Sequence, residues 1–353
     1  MNLRIKNIFA QLEKENLDGL IISSQANISY LTEFISRDSY LLISKKGNVY
    51  FTDSRYTQEA KINLKRVAII EKINGSVFNI IVNTCRKLRL KRVGFEERNL
   101  AYGEYKNIEE GSDKRLELIP THSLVENLRQ IKSKEEIEKI KEATRITIEA
   151  LKFVGNFISP GIREIEIAAE LERFIRYQGA RTSAFEIIVA SGPNSSFPHH
   201  ITSQRKIKNN EPVLIDLGVE YLGYKSDLTR VLFLGKINAI VRRVYSIVLE
   251  AQERAIRKIK PDVSINKIDT AARQYIARRG YGGFFGHNLG HGIGLEIHEE
   301  PHISKKENNK LKSGMVFTVE PAIYLPDKFG IRIEDTVLVT RDGSRLLSGG
   351  LNK

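Results

Sequence analysis

The sequence predicts an α/β (α+β) protein in two domains, residues 1–128 and residues 129–353, and three observations carry that reading. The chain is 353 residues long, more than a single compact core usually needs. Helix-like and strand-like stretches alternate through its first third, the pattern of an α/β layer with a mixed sheet. In the remainder, the succession of helix, strand and acid-bearing strand pair occurs twice, as in a duplicated α/β unit closing on one centre.

The amino-terminal stretch "MNLRIKNIFAQLEKENLDGL" spaces Ile5, Ile8, Phe9 and Leu12 for an amphipathic first helix, and it carries too much charge for a signal peptide. "LDGLIISS", "YLLISKKGNVYFTD", "RVAIIEKI" and "KRVGFE" read as strands, and "SVFNIIVNTCRKLRL" has helical periodicity. Ser133 followed by Glu136 forms a capping box that starts a long helix just after the domain boundary. Further on, "EIEIAAELERFIRYQGA" and "KIDTAARQYIARRGY" read as helices stopped by Gly179 and Gly280. The first leads through "FEIIVASG" to the strands "PVLIDLG" and "SDLTRVLFL". The second leads through "GGFFGHNLGHGIG" to "GMVFTVEPAIY" and "GIRIEDTVLV".

Composition narrows the class of function. The single cysteine, Cys85, allows no intrachain disulfide and fits a reducing interior. No apolar run approaches the roughly 20 residues of a membrane span, so a cytoplasmic protein without membrane contact is expected. The net charge of +13 raises the question of nucleic acid, but the lysines and arginines are interleaved with acids along the chain. With no basic low-complexity tail and no zinc-knuckle segment, nucleic-acid binding is not the expected function.

Chemistry concentrates in the duplicated half. Asp216 in "VLIDLG", Glu320 in "VFTVEPA" and Glu334 in "IRIEDTV" interrupt runs that otherwise favour burial, and Asp227 opens "DLTRVLFL". A buried carboxylate must be protonated, paired or bound to a cation. Salt bridges to Arg230 and Arg332 account for one such acid more readily than for four. Four carboxylates beside imidazoles make a hard site that suits Mn²⁺, Co²⁺ or Fe²⁺ better than a thiolate zinc site. Two ions about 3.5–4 Å apart point to hydrolysis.

Four of the seven histidines lie in "GHNLGHGIGLEIHEEPH". His287 and His291 have the spacing of a helical metal pair, but the glycines around them argue against helix, and position 288 is Asn rather than Glu. The glycines fit backbone that passes close to a metal or substrate, with His291 as a ligand. His298 opens a turn-like segment from which it reaches the site without ligating. His199, in "SFPHHITS", sits on a proline-marked loop after an apolar strand, where catalytic side chains tend to lie. His200 and His302 read as bystanders and His122 has no assigned role.

These residues resemble the pita-bread metallopeptidases, which include methionine aminopeptidase, prolidase and Xaa-Pro aminopeptidase. The likeness runs in order through "IDLG", "SDLTR", "GHGIGLEIHEEP", "GMVFTVEPAIY" and "GIRIEDTVLVT". In the amino-terminal third, "NISYLTEF", "YFTDSRYTQEA" and "VGFEERNLAYGEY" resemble the non-catalytic, creatinase-like domain of Xaa-Pro aminopeptidases, which methionine aminopeptidases lack. The resemblance implies two divalent ions, Mn²⁺ or Co²⁺ with Fe²⁺ or Zn²⁺ as alternatives, held by Asp216, Asp227, His291, Glu320 and Glu334. Asp227 and Glu334 would be shared between the ions, and a hydroxide between them would attack the peptide carbonyl with Glu320 accepting its proton. His199 and His298 match carbonyl-orienting positions, and His287 and Arg332 match positions on the substrate side. The chain departs from the pattern at His200 and Ala322, where glycine is usual. The expected function is an Xaa-Pro aminopeptidase, with an Xaa-Pro dipeptidase second, a non-catalytic protein- or RNA-binding homologue a distant third, and a homodimer the implied assembly.

Overall fold

The computed structural model describes residues 3–112, 115–351 and 353, and the chain divides into two compact units, Met1–Arg129 and Gln130–Lys353. In the first unit, β1 (Gly19–Ile22), β2 (Ser39–Ser44), β3 (Val49–Thr52), β4 (Ile69–Lys72), β5 (Arg92–Glu96) and β6 (Glu117–Thr121) form a sheet in the order β4-β3-β2-β1-β5-β6. The pairs β1–β2 and β2–β3 are antiparallel and the rest parallel, so the sheet is mixed as the alternation predicts. Helices α1 (Leu3–Lys14), α2 (Gln25–Thr32), α3 (Thr57–Asn63), α4 (Val77–Lys87), α5 (Tyr102–Gly111) and α6 (Glu126–Arg129) connect and flank it. α1 buries Ile5, Ile8 and Leu12 and leaves Phe9 half-buried. Cys85 packs among Phe51, Val82 and Val93, and burial pushes its thiol up to about 12. It is a core residue without nucleophilic character.

The second unit opens with α7 (Lys134–Phe157). Ser133 Oγ accepts from the Glu136 amide at 3.3 Å and Glu136 Oε2 accepts from the Ser133 amide at 2.9 Å, which is the expected capping box. α8 (Glu164–Tyr177) follows, then β7 (Thr182–Ser183), β8 (Ile188–Ser191), β9 (Pro212–Leu217), β10 (Val219–Tyr221), β11 (Tyr224–Lys225) and β12 (Leu228–Phe233). After α9 (Ala239–Ile256) and α10 (Ile265–Arg278) come β13 (Gly290–Gly292), β14 (Glu299–Ile303), β15 (Val316–Val319), β16 (Ala322–Leu325), β17 (Phe329–Arg332), β18 (Asp335–Val339) and β19 (Ser344–Leu346). α8 and α10 end just ahead of Gly179 and Gly280, whose φ values are +95° and +86°.

The internal echo is realised as sheet order. One half runs β8-β9-β12 and the other β13-β15-β18, antiparallel throughout. Ile146 and Leu171 of α7 and α8 pack on Val189 and Ile215 of the first sheet; Val248 and Ile276 of α9 and α10 share a core with Phe317 and Val337 of the second. Among the described residues, no helix is long and apolar enough to cross a membrane.

One expectation is corrected. "GMVFTVEPAIY" and "GIRIEDTVLV" are not continuous strands: each breaks at its glutamate, into β15 and β16 around Glu320–Pro321 and into β17 and β18 around Ile333–Glu334. Pro321 has no N–H to continue a ladder. The two chains therefore leave the β13-β15-β18 sheet together and pair again as a separate β16–β17 hairpin.

Candidate active site

The breaks place the acids. Val319 pairs with Asp335 at the end of the β15–β18 ladder, so Glu320 and Glu334 occupy the next cross-strand position, opposite one another. Like charges directly opposite are destabilising unless something positive stands between them. On the other sheet, Asp216 lies on β9 across from Thr229, and Asp227 precedes the first residue of β12.

His291 sits at the middle of β13, squeezed between β14 and β15. A Cβ at Gly290 would lie 1.9 Å from the Thr318 carbonyl oxygen, and one at Gly292 would lie 2.2 Å from that of Glu300. These glycines therefore make room for the neighbouring strands, and Gly290 also lines the cavity beside His291. The effect is to press the His291 ring against the acids.

Three of these residues then bring a ligand atom to one place, with Glu320 beside them. His291 Nε2 is 3.5 Å from Asp227 Oδ2 and 3.5 Å from Glu320 Oε1, and ligand atoms of Asp227, His291 and Glu334 all lie within 4.8 Å of one another. His291 Nδ1 is 3.1 Å from the Gly292 carbonyl, which can only accept, so Nδ1 carries the proton. That leaves Nε2 as an acceptor facing carboxylates. Burial, and then the neighbouring His298, lowers His291 to about 4, so the ring is neutral. Asp216 Oδ1 and Asp227 Oδ1 are buried without a hydrogen-bond donor among the described residues. Burial raises Asp227 and Glu334 well above the usual carboxylate range, with the surrounding carboxylates adding to it, and pushes Glu320 up to about 8. The close group of Asp227, His291 and Glu334, with Glu320 beside His291 and a bare oxygen on Asp216, has the donor chemistry of a divalent-cation centre.

Neighbouring side chains hold the acids in place. Arg332 donates from Nη2 to Asp216 Oδ2 at 2.7 Å, from Nη1 to the Tyr324 hydroxyl at 2.7 Å and from Nε to Thr229 Oγ1 at 3.1 Å. Thr229 Oγ1 in turn donates a hydrogen bond to Glu334 Oε2 at 2.7 Å, and Thr318 Oγ1 donates to Glu320 Oε1 at 3.3 Å. Arg230 pairs instead with Asp335 at 2.8 Å and donates to the Glu334 carbonyl at 2.6 Å. Within the cluster Arg332 thus makes its direct contact with Asp216, while its charge acts on Asp227, Glu320 and Glu334 at longer range without offsetting their burial.

A cavity of about 500 Å³ opens on this cluster, lined by all nine residues singled out in the sequence: Asp216, Asp227, His291, Glu320, Glu334, His199, His287, His298 and Arg332. The His298 ring packs edge-on against His291, with centroids 4.2 Å apart. His287 donates from Nδ1 to the Asn288 carbonyl at 2.7 Å and sets Nε2 3.2 Å from the Tyr324 hydroxyl; burial lowers it to about 4. His199 is exposed to the cavity. His200 lines it too, but its Nε2 lies 2.9 Å from the buried carboxylate of Glu164. Glu164 also accepts from the Ser191 amide at 2.7 Å and from Ser203 Oγ at 2.6 Å, tying down both ends of the loop that carries His199. His302 pairs across from His291 on β14 and reaches the cavity wall. Tyr324, Thr229 and Glu164 carried no signal in the sequence, because each sits in an ordinary apolar or helical run.

Comparison with known proteins points to the same class of protein. Residues 138–341 match metallopeptidase family M24, and residues 4–131 match the creatinase/prolidase N-terminal domain. An Xaa-Pro dipeptidase of Pyrococcus furiosus is 36% identical over 99% of this chain and 98% of its own length. An Xaa-Pro dipeptidase structure from Bacillus anthracis has a TM-score of 0.95 at 38% identity, covering 99% of this chain and 98% of that one. An X-Pro aminopeptidase structure from Thermotoga maritima MSB8 has a TM-score of 0.87 at 38% identity, covering 96% and 97%.

Proposed function

The chain belongs to metallopeptidase family M24, and from that premise we propose that it is an Xaa-Pro dipeptidase, hydrolysing the one peptide bond of a dipeptide that ends in proline. The observation that carries the reading is the convergence of unprotonated Nε2 of His291 with the donorless oxygens of Asp216 and Asp227 on the cavity floor. Asp216, Asp227, His291, Glu320 and Glu334 would hold two divalent cations, Mn²⁺ or Co²⁺. Bound there, the cations supply the positive charge that polarises a carbonyl and makes water nucleophilic at neutral pH.

The side chains of the protein supply the rest. Thr318 engages Glu320 Oε1, so Oε2 is the oxygen left to take a proton from the attacking water. His199 and His298 donate N–H groups to the carbonyl oxygen as charge gathers on it. The departing proline nitrogen has no N–H and leaves as an amine only when protonated, which returns the proton held by Glu320. His287 and Tyr324 form the wall that the pyrrolidine ring meets.

The amino-terminal motifs favour an Xaa-Pro aminopeptidase; full-length likeness to the dipeptidases reverses that order. The aminopeptidase remains the second reading because of the Thermotoga structure. Hydrolysis of Xaa-Pro dipeptide against Xaa-Pro-Xaa tripeptide by Mn²⁺-loaded protein separates them. A dipeptidase prefers the dipeptide by about 100-fold or more in kcat/KM, equivalent to about 2.7 kcal/mol of transition-state stabilisation. Comparable cleavage of the tripeptide would sink it.

A further inference from the structure

Gln252 lies on α9, wholly buried, and does not line the cavity. Its Nε2 donates to the Val319 carbonyl at 2.9 Å and to the Ile333 carbonyl at 3.2 Å. Those two carbonyls immediately precede Glu320 and Glu334, at the point where both strands leave the β15–β18 ladder. The amides on the other side of each break turn away: Glu320 N donates to Leu289 O at 2.8 Å and Glu334 N to Thr229 O at 3.2 Å. A single carboxamide thus satisfies, for two strands at once, the carbonyls that the ladder leaves there.

The orientation of that amide follows from its neighbours. Lys353 Nζ, which can only donate, is 2.6 Å from Gln252 Oε1, and the two carbonyls, which can only accept, face Nε2. The same ammonium forms an ion pair with Asp335 Oδ2 at 2.6 Å, next to Glu334, and Arg230 holds the other oxygen of Asp335. Lys353 therefore secures both the amide and the residue beside the second glutamate.

Resting on the reading of Glu320 and Glu334 as cation-holding groups, we propose that Gln252 and Lys353 form a positioning brace that sets the separation of these two glutamates. Neither residue touches substrate or cation. The brace prepays the ordering of two carboxylates that would otherwise repel one another, so its loss appears first in cation affinity.

The test compares parent, Gln252→Met and Lys353→Met after chelator treatment, reading Mn²⁺ affinity by titration calorimetry at 25 °C, Tm, and kcat and KM on an Xaa-Pro dipeptide. Gln252→Met keeps the side-chain length and removes both donors. It is expected to weaken Mn²⁺ binding by about 10–100-fold and to lower kcat more than it raises KM. Lys353→Met is expected to give a smaller loss in the same direction. A merely structural role lowers Tm and leaves Mn²⁺ affinity and kcat of the folded protein unchanged, and that result overturns the brace. Should Gln252→Met not fold, parent-like Mn²⁺ affinity in Lys353→Met overturns it alone. A parent that binds no Mn²⁺ fails differently: the metallopeptidase reading of the site falls, and the brace with it.

Discussion

Arg332 reaches across from β17 to donate Nη2 to Oδ2 of Asp216 on β9 at 2.7 Å, joining the two halves of the duplicated unit at the cluster. Only 4% of the Arg332 residue is exposed, and three more acceptors, on Tyr324, Thr229 and Pro198, hold its guanidinium flat. A lysine cannot satisfy this fork. Arg332→Lys is expected to retain the fold and lose about 10–100-fold in kcat/KM with weaker cation binding, as for other residues that orient ligands. Steady-state kinetics across a Mn²⁺ series decides it; wild-type behaviour at low Mn²⁺ would show that Asp216 needs no orienting partner.

Glu320→Gln removes the proton acceptor while preserving shape. Turnover is expected to fall by at least about 100-fold, the lower end of what general acid–base catalysis contributes. Circular dichroism should be unchanged. Full activity would falsify the role of Glu320.

The adjacent histidines should separate by phenotype. His199 faces the cavity with no tether among the described residues, whereas His200 is bound to Glu164, which gathers Ser191 and Ser203. His199→Ala is expected to lower kcat by about 100-fold at unchanged Tm, by loss of one oxyanion donor. His200→Ala is expected to lower Tm and affect kcat less. The opposite pattern in kinetics and thermal melts would exchange their roles.

Stability should depend on pH in an unusual direction when cations are removed. Burial raises Glu320 from the ordinary 4.5 to about 8, and Asp227 and Glu334 shift the same way. A carboxyl raised by folding binds its proton more tightly folded than unfolded. The stability it contributes is fully present below about pH 4.5 and is lost as pH climbs through about 8. Chelator-treated protein is therefore expected to melt lower at pH 8 than at pH 5, each 1 kcal/mol lost lowering Tm by about 2–4 °C. Saturating Mn²⁺ takes the place of the protons and should raise Tm more at pH 8, contributing about 2.7 kcal/mol at 100 times its Kd. Calorimetry that finds the chelated protein equally stable at both values would contradict the burial of these acids.

The legible part of the site was the part that violates a local rule. Asp216, Glu320 and Glu334 are acids where burial is favoured, and Gly290 and Gly292 sit where side chains should be. The rest obeys local rules and is invisible to them. Thr229 and Tyr324 look like any strand residues, and Gln252 looks like a polar residue of an amphipathic helix. Gly290 and Gly292 signal close approach, but periodicity does not say that the backbones of Thr318 and Glu300 are among the neighbours that come near.

By itself, the sequence determined the two-part α/β plan, the mixed first sheet, the duplicated second half and nine of the residues that line the cavity. It could do so because burial and periodicity are local properties, written residue by residue. Only the tertiary structure decided that both glutamate strands break together, that Arg332 closes on Asp216, and that His200 turns to Glu164 while His199 stays free. Those outcomes depend on which donor meets which acceptor between segments up to 135 residues apart in the chain, as at Ser195 and Gly330. Hydrogen-bond geometry at that range is settled by packing, because no short stretch contains both partners.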